Sequence, residues 1–248
     1  MVITLNRPEA RNAVNAEVAR LIGDALQDAD RDPQIRVVVV TGAGDQAFCA
    51  GADLKAVARG ESIIPEGREA WGFAGYVSHH ISKPTIAAVN GFALGGGTEI
   101  ALASDLVVAA DTSQFGLPEV RRGIIAAAGG AFRIAAQLPP KVAMELLLTG
   151  EPIDATTAQR LSLVNRVVPR EKVLDEALAL AARICANAPL AVQASKRVAR
   201  GVVDGAVASE EAAWHINNAE IRVLMTSEDA KEGPRAFAEK RAPVWRAC

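Results

Sequence analysis

Two apolar runs without polar alternation, Thr85–Val89 and Leu106–Ala110, bracket Asn90-Gly91-Phe92-Ala93-Leu94-Gly95-Gly96-Gly97-Thr98-Glu99 and the apolar stretch that follows it. Short runs of this kind read as parallel strands covered on both faces, and strand, helix, strand in succession implies a right-handed βαβ crossover. The chain is thereby directed to an α/β fold. Gly95, Gly96 and Gly97 stand at the helix start, where missing Cβ atoms let a ligand oxygen reach the main chain and the helix end favours a developing anion. Glu99 lies within one turn of that start. A carboxylate beside an anion-stabilising backbone suits acid–base chemistry on a carbonyl compound, although a helix-capping glutamate would give the same letters.

Helical spacing recurs at Val18, Leu21, Ile22, Ala25, Leu26 and Ala29, with Asn15 as the expected cap. Ile35–Val40 reads as another buried strand. Val2–Leu5 is a short β-branched run that begins abruptly enough to suggest a strand before it. Beyond Gly150 one strand run remains, Leu163–Val168, and residues 171–187, 190–203 and 207–226 carry helical spacing broken by Pro189 and Gly201. The expected organisation is a mixed α/β core over residues 1–190 and a helical section over 191–248. The irregular stretch 60–75 reads either as a surface excursion or as a lid, with Trp71, Phe73 and Tyr76 as its apolar inner face.

Composition narrows the partners. The 248 residues are 50% hydrophobic with a formal net charge of −2, so nothing draws the chain to nucleic acid or an anionic membrane, and an anionic ligand needs a local cation cluster. The start lacks a signal-peptide pattern and no apolar run reaches membrane-spanning length, so a cytoplasmic protein is expected. Cys49, Cys185 and Cys248 are odd in number and far apart, as reduced thiols are, and no metal-type spacing is present.

Thr41-Gly42-Ala43-Gly44-Asp45-Gln46-Ala47 has the weak form of a dinucleotide fingerprint, GxGxxA after a strand, which requires a helix from about Gly44. Instead a second small-residue turn follows, Ala50-Gly51-Ala52-Asp53, and helical spacing starts only near Leu54. Asp53 is placed as a natural cap for that helix, with a base role as the alternative. Pro118 and Gly116 present Glu119 from a turn or a first helical position. Glu99 and Glu119 therefore follow different core segments, and paired carboxylates suit the addition or removal of water across a carbon–carbon bond, one handling the oxygen's proton and the other the carbon's. His79-His80 reads as surface or packing residues and Cys49 as a small buried thiol.

Five ordered motifs are similar to the crotonase superfamily, the enoyl-CoA hydratase/isomerase family: Ile3-Thr4-Leu5-Asn6-Arg7-Pro8, Phe48 to Leu54, Asn90 to Glu99, Phe115 to Glu119, and Ala236 to Arg241. The resemblance runs almost end to end. It implies a crotonase-like spiral of ββα units with a helical C-terminal trimerisation section, assembled as a homotrimer or homohexamer. It also implies an acyl-CoA substrate with no further cofactor and no metal. Carried over residue by residue, the N–H groups of Ala52 and Gly96 form an oxyanion hole, Glu99 activates water, and Glu119 serves the carbon next to the carbonyl. Glu119 is expected protonated and Glu99 ionised before hydration. The substrate-binding set implied is Arg11, Asp53, Leu54, Lys55, Phe237 and Lys240.

Ala126-Ala127 stand where hydratases of the family carry Pro-Gly, in the segment that lines the acyl end of the pocket, so the acyl group is left open. Gly72-Phe73-Ala74-Gly75, Gln137-Leu138-Pro139-Pro140 and the segment from Ser227 to Trp245 resemble the carnitinyl-CoA dehydratase branch. The leading expectation is an enoyl-CoA hydratase; carnitinyl-CoA dehydratase-like activity, double-bond isomerisation and non-catalytic acyl-CoA binding are the alternatives.

Overall fold

The apolar runs become strands buried from both sides. In a computed structural model describing residues 1–248, the side chain of Ala58 aside, β1 (Val2–Leu5) leads to α1 (Ala16–Arg31), whose capping Asn15 side chain accepts from the Val18 N–H at 3.0 Å. β2 (Val38–Gly42) and the short β3 (Ala47–Cys49) precede α2 (Leu54–Ala58). β4 (Thr85–Val89), β5 (Phe92–Leu94) and α3 (Gly96–Ala103) repeat that order. β6 (Leu106–Ala110) and β7 (Gln114–Gly116) begin it a third time, ahead of a 3-10 turn at Pro118–Arg122. Then come α4 (Gly130–Gln137), α5 (Pro140–Thr149), β8 (Ile153–Asp154), α6 (Ala155–Arg160) and β9 (Arg166–Val168).

The long strands form one parallel sheet in the order β1-β2-β4-β6-β9, and the short ones a second sheet in the order β3-β5-β7-β8, antiparallel only between β7 and β8. Each turn of chain thus lays one strand in each sheet and returns, giving the spiral of ββα units expected. Alternate residues of the long strands enter two different cores. Val38, Val40, Ala87, Val89 and Ala109 join the larger one with α1 and α3, while Val39, Ile86, Ala88, Val108 and Ala110 pack on α7 (Val173–Cys185) through Val173, Ala177 and Ala181. Both faces are dry, which is why the runs show no polar alternation.

β2 starts and ends later than the expected 35–40. The Ile35 N–H donates to the Asp32 carbonyl in a turn at 3.2 Å, and the ladder is fixed instead by its partners, with Val38 opposite Thr85 and Gly42 opposite Leu5. After α7 the chain is mainly helical: α8 (Pro189–Arg200), a small hairpin of β10 (Val202–Val203) and β11 (Ala206–Val207), α9 (Glu211–Leu224) and α10 (Glu228–Ala238). Lys196 and Arg200 of α8 fasten this section to Asp105 at 2.8 and 3.2 Å. No single helix is long and apolar enough to cross a membrane among the described residues.

Stretch 60–75 contains two short 3-10 turns; Phe73 and Tyr76 turn an apolar face to the cavity that Glu99 and Glu119 also line, whereas Trp71 does not line it. Trp71 stacks on the His79 ring at 4.6 Å, and Trp71, Phe73 and Tyr76 are all buried.

A very close main-chain approach lies at the start of α3, where a Cβ on Gly97 would fall 2.0 Å from the Cys49 carbonyl oxygen. A main-chain oxygen cannot swing aside. Gly97→Ala is therefore expected to lower stability by roughly 1–3 kcal/mol or more; an unfolding midpoint in urea equal to the parent's would refute this packing.

Candidate active site

The strand-to-helix turns after β3 and β5 lie side by side. At the first, Val14 N–H donates to the Gly51 carbonyl and Asp53 N–H donates to the Val14 carbonyl, both at 2.9 Å, so the Ala52 N–H points to the opposite side. At the second, Gly96 opens α3 and its N–H has no partner within the helix. Gly51 (φ +90) and Gly95 (φ +56) take backbone conformations that suit glycine, and a Cβ on Gly51 would sit 3.1 Å from the Gly96 nitrogen. Thr98 holds the second turn in place: its hydroxyl donates to the Ala93 carbonyl at 2.6 Å and accepts from the Gly116 N–H at 3.0 Å.

Both carboxylates come to this place. Glu99 is buried in α3 and its Oε1 accepts from the Gly130 N–H at 2.9 Å. Glu119 is second in the 3-10 turn, after Pro118, and its Oε1 lies 3.0 Å from where a Gly95 Cβ would stand. Its Oε2 is enclosed and has no hydrogen-bond partner among the described residues. Burial pushes Glu99 up to about 7, against the pull of the Gly130 N–H and of Arg133. Burial, then the charge of Glu99, pushes Glu119 further, to about 8. Two carboxyls this close resist ionising together, and the charge of Glu99 adds to burial in holding Glu119 protonated.

These groups open on one cavity of about 1220 Å³, which Arg11, Ala52, Leu54, Gly96 and Phe237 also line. Asp53 is turned away from it. Burial raises the Asp53 carboxyl, but the Arg7 guanidinium at 2.9 Å and the capped N–H groups of Ala56 and Lys55 outweigh that and hold it below its ordinary value. Lys55 and Lys240 are exposed and outside the cavity lining. Cys49 is buried, its Sγ accepts from the Gly51 N–H at 3.4 Å, and burial pushes its thiol up to about 12, which leaves no thiolate for nucleophilic work.

Sequence reading singled out none of Arg7, Arg133, Glu210, Trp214 and Asn217. Arg133 lines the cavity and forms a two-pronged ion pair with Glu210, at 2.9 and 2.6 Å. One signal was available, the helical spacing of 210, 214 and 217, but their partners lie some eighty residues away in sequence.

A family model described as enoyl-CoA hydratase/isomerase matches residues 1–247. The chain belongs to that family. A carnitinyl-CoA dehydratase of Escherichia coli K12 is 44% identical, with 98% of this chain and 94% of the relative covered. Among solved structures, a carnitinyl-CoA hydratase from Mycobacterium avium is 62% identical with a TM-score of 0.98, covering 100% of this chain and 95% of that one. An enoyl-CoA hydratase from Mycobacterium tuberculosis H37Rv is 47% identical with a TM-score of 0.76, at 100% and 95% coverage. The motifs spread from Ile3 to Arg241 thus belong to one crotonase fold.

The raised carboxyls tie stability to pH. Groups with folded values above the unfolded 4.5 hold protons that the unfolded chain releases, so stability falls as pH rises through about 7 to 8. Glu119→Gln cannot ionise. It is expected to melt higher than the parent at pH 9, by roughly 2–4 °C per kcal/mol recovered, with no advantage near pH 4; an equal difference at both pH values in scanning calorimetry would contradict the burial argument.

Proposed function

We propose that this protein catalyses the reversible addition of water across the 2,3 double bond of an acyl-CoA thioester, with Glu99 and Glu119 as its acid–base pair. Membership of the family makes it a hydratase or dehydratase of CoA thioesters. The observation that carries the finer reading is the convergence of two buried carboxylates, both with raised proton affinity, beside the paired turns of Ala52 and Gly96.

In the hydration direction, the Glu99 carboxylate takes a proton from water as the water oxygen bonds to C3. The π electrons move toward C2 and the thioester carbonyl, whose oxygen takes up negative charge against the Ala52 and Gly96 N–H groups. Fixed donors of this kind are each worth about 10²–10³ in rate in other enzymes. Glu119 then gives its proton to C2, which leaves Glu99 protonated and Glu119 ionised until the pair exchanges protons with solvent. Elimination runs the same steps backwards. The higher proton affinity of Glu119 supports its role as the acid in hydration.

Arg11, Leu54 and Phe237 on the cavity lining support a binding role toward the thioester's CoA portion, with Lys55 and Lys240 as exposed cations for its phosphates. Asp53 belongs with them only indirectly, through the capping and ion pairing that hold the Ala52 turn. A cytoplasmic, homotrimeric or homohexameric protein completes the proposal; Leu190, Val198, Ile216 and Val223 are exposed apolar side chains of α8 and α9 that a neighbouring subunit would cover.

A second reading, elimination of water from a carnitinyl thioester, is favoured by the 62% identity to the Mycobacterium avium carnitinyl-CoA hydratase. A panel containing crotonyl-CoA and carnitinyl-CoA separates the two. Against the preferred thioester, Glu119→Gln is expected to lose about 10²–10⁴ in kcat while thioester binding stays within a few-fold. Turnover near the parent's rate would remove Glu119 from the mechanism.

A further inference from the structure

The hydrogen bond from the Gly130 N–H to Glu99 is delivered by the segment running from Ala127 to Arg133, and the helical C-terminal section grips that segment at three points. Arg133 Nε and Nη2 donate to Glu210 Oε1 and Oε2, at 2.9 and 2.6 Å. The Phe132 and Trp214 rings meet edge to face with centroids 4.9 Å apart. Asn217 Nδ2 donates to the Ala127 carbonyl at 2.9 Å. Residues 210, 214 and 217 follow an i, i+4, i+7 pattern, so one face of α9 and its N-cap makes all three contacts.

The grip is a poor investment in stability alone. Arg133 and Glu210 side chains are only 7% and 16% exposed, and buried ion pairs of this kind are often no better than apolar packing. Arg133 Nη1 and Asn217 Oδ1 are moreover buried without a partner among the described residues. What the contacts do is fix a donor and a charge. The Arg133 guanidinium lies over the Phe132 and Trp214 rings, at 5.5 and 5.4 Å, one helical turn from Gly130.

We propose that this face of α9 is a clamp for the catalytic carboxylate: Glu210, Trp214 and Asn217 are positioning residues that keep the Gly130 N–H on Glu99 and the Arg133 charge at a set place beside it. The inference rests on the reading of Glu99 as the water-activating base. The ionisable groups facing Glu99 are Glu119 from the 3-10 turn, Cys49 from β3 and Arg133 from α4. Arg133 is the one cation among them. Releasing the clamp disfavours the Glu99 carboxylate and loosens its aim, while groups at the other turns of the cavity stay in place.

The test compares Asn217→Leu, Arg133→Gln and Arg133→Lys with the parent and with Glu99→Gln, using whichever of crotonyl-CoA and carnitinyl-CoA the panel favours. Asn217→Leu is expected to lower kcat about tenfold with KM changed less than about twofold, as for a lost N–H to a carboxylate and a misplaced base. Arg133→Gln is expected to move the acidic limb of the kcat/KM profile upward by about half a pH unit or more, and Arg133→Lys to bring it back toward the parent. Variants that melt lower yet keep the parent's kcat and acidic limb would overturn the clamp and leave a structural contact. If Arg133→Gln does not fold, the kcat of Asn217→Leu decides. Inactive Glu99→Gln beside unchanged clamp variants sinks the clamp alone, whereas active Glu99→Gln sinks the base assignment and the clamp with it.

Discussion

The molecule depends on main chain passing main chain without side chains between. Gly97 rests against the Cys49 carbonyl, Gly51 against the Gly96 nitrogen, and Gly95 against the Glu119 carboxylate. A Cβ on Gly97 or Gly51 would push the β3–α2 turn away from the start of α3, and one on Gly95 would press on the Glu119 carboxylate. Because the two turns belong to successive units of the same spiral, their separation is set by the stacking of β3 on β5, and glycine is what lets them meet at the bottom of a cavity. Thr98, with its hydroxyl shared between Ala93 and Gly116, then fixes the second turn against β7.

Enclosure gives the two carboxyls their chemistry. In water each would be ionised at neutral pH and would hold no proton to give. Inside the cavity burial raises both, and the charge of Glu99 raises Glu119 further, as the proposed division into a proton acceptor and a proton donor requires. Glu99 is steadied by an N–H at the start of α4, while Glu119 has an oxygen with no partner among the described residues. The environments differ in the direction that hydration needs. Nearby Cys49, equally buried, is driven to inertness by the same desolvation.

Much of the framework was legible because it is local. Thr85–Val89 and Leu106–Ala110 announce themselves by composition, α1 by its stripe and its Asn15 cap, and α2 by Asp53. The GxGxxA match was rightly set aside, since α2 begins at Leu54 and not near Gly44. The three-residue strands β3, β5 and β7 are too short to carry a period, and α4 and α5 were not singled out. Of Trp71, Phe73 and Tyr76, read as a possible lid face, all three are buried; Phe73 and Tyr76 line the cavity, while Trp71 stacks on His79. Composition marks an aromatic residue as wanting burial but does not say which surface receives it.

By itself the sequence determined where the longer buried strands and the capped helices α1 and α2 lie, where glycine permits a close approach, and which two glutamates follow core segments. Those properties reside in residue type and short-range spacing. Only the tertiary structure decided that Asp53 faces Arg7 instead of the cavity, that Glu99 and Glu119 share a desolvated space, and that Glu210, Trp214 and Asn217 reach back to the segment behind Glu99. Each of these is a meeting of groups distant along the chain. Burial and Coulomb interaction depend on that meeting, so proton affinity and aim belong to the assembled fold and not to any stretch of sequence.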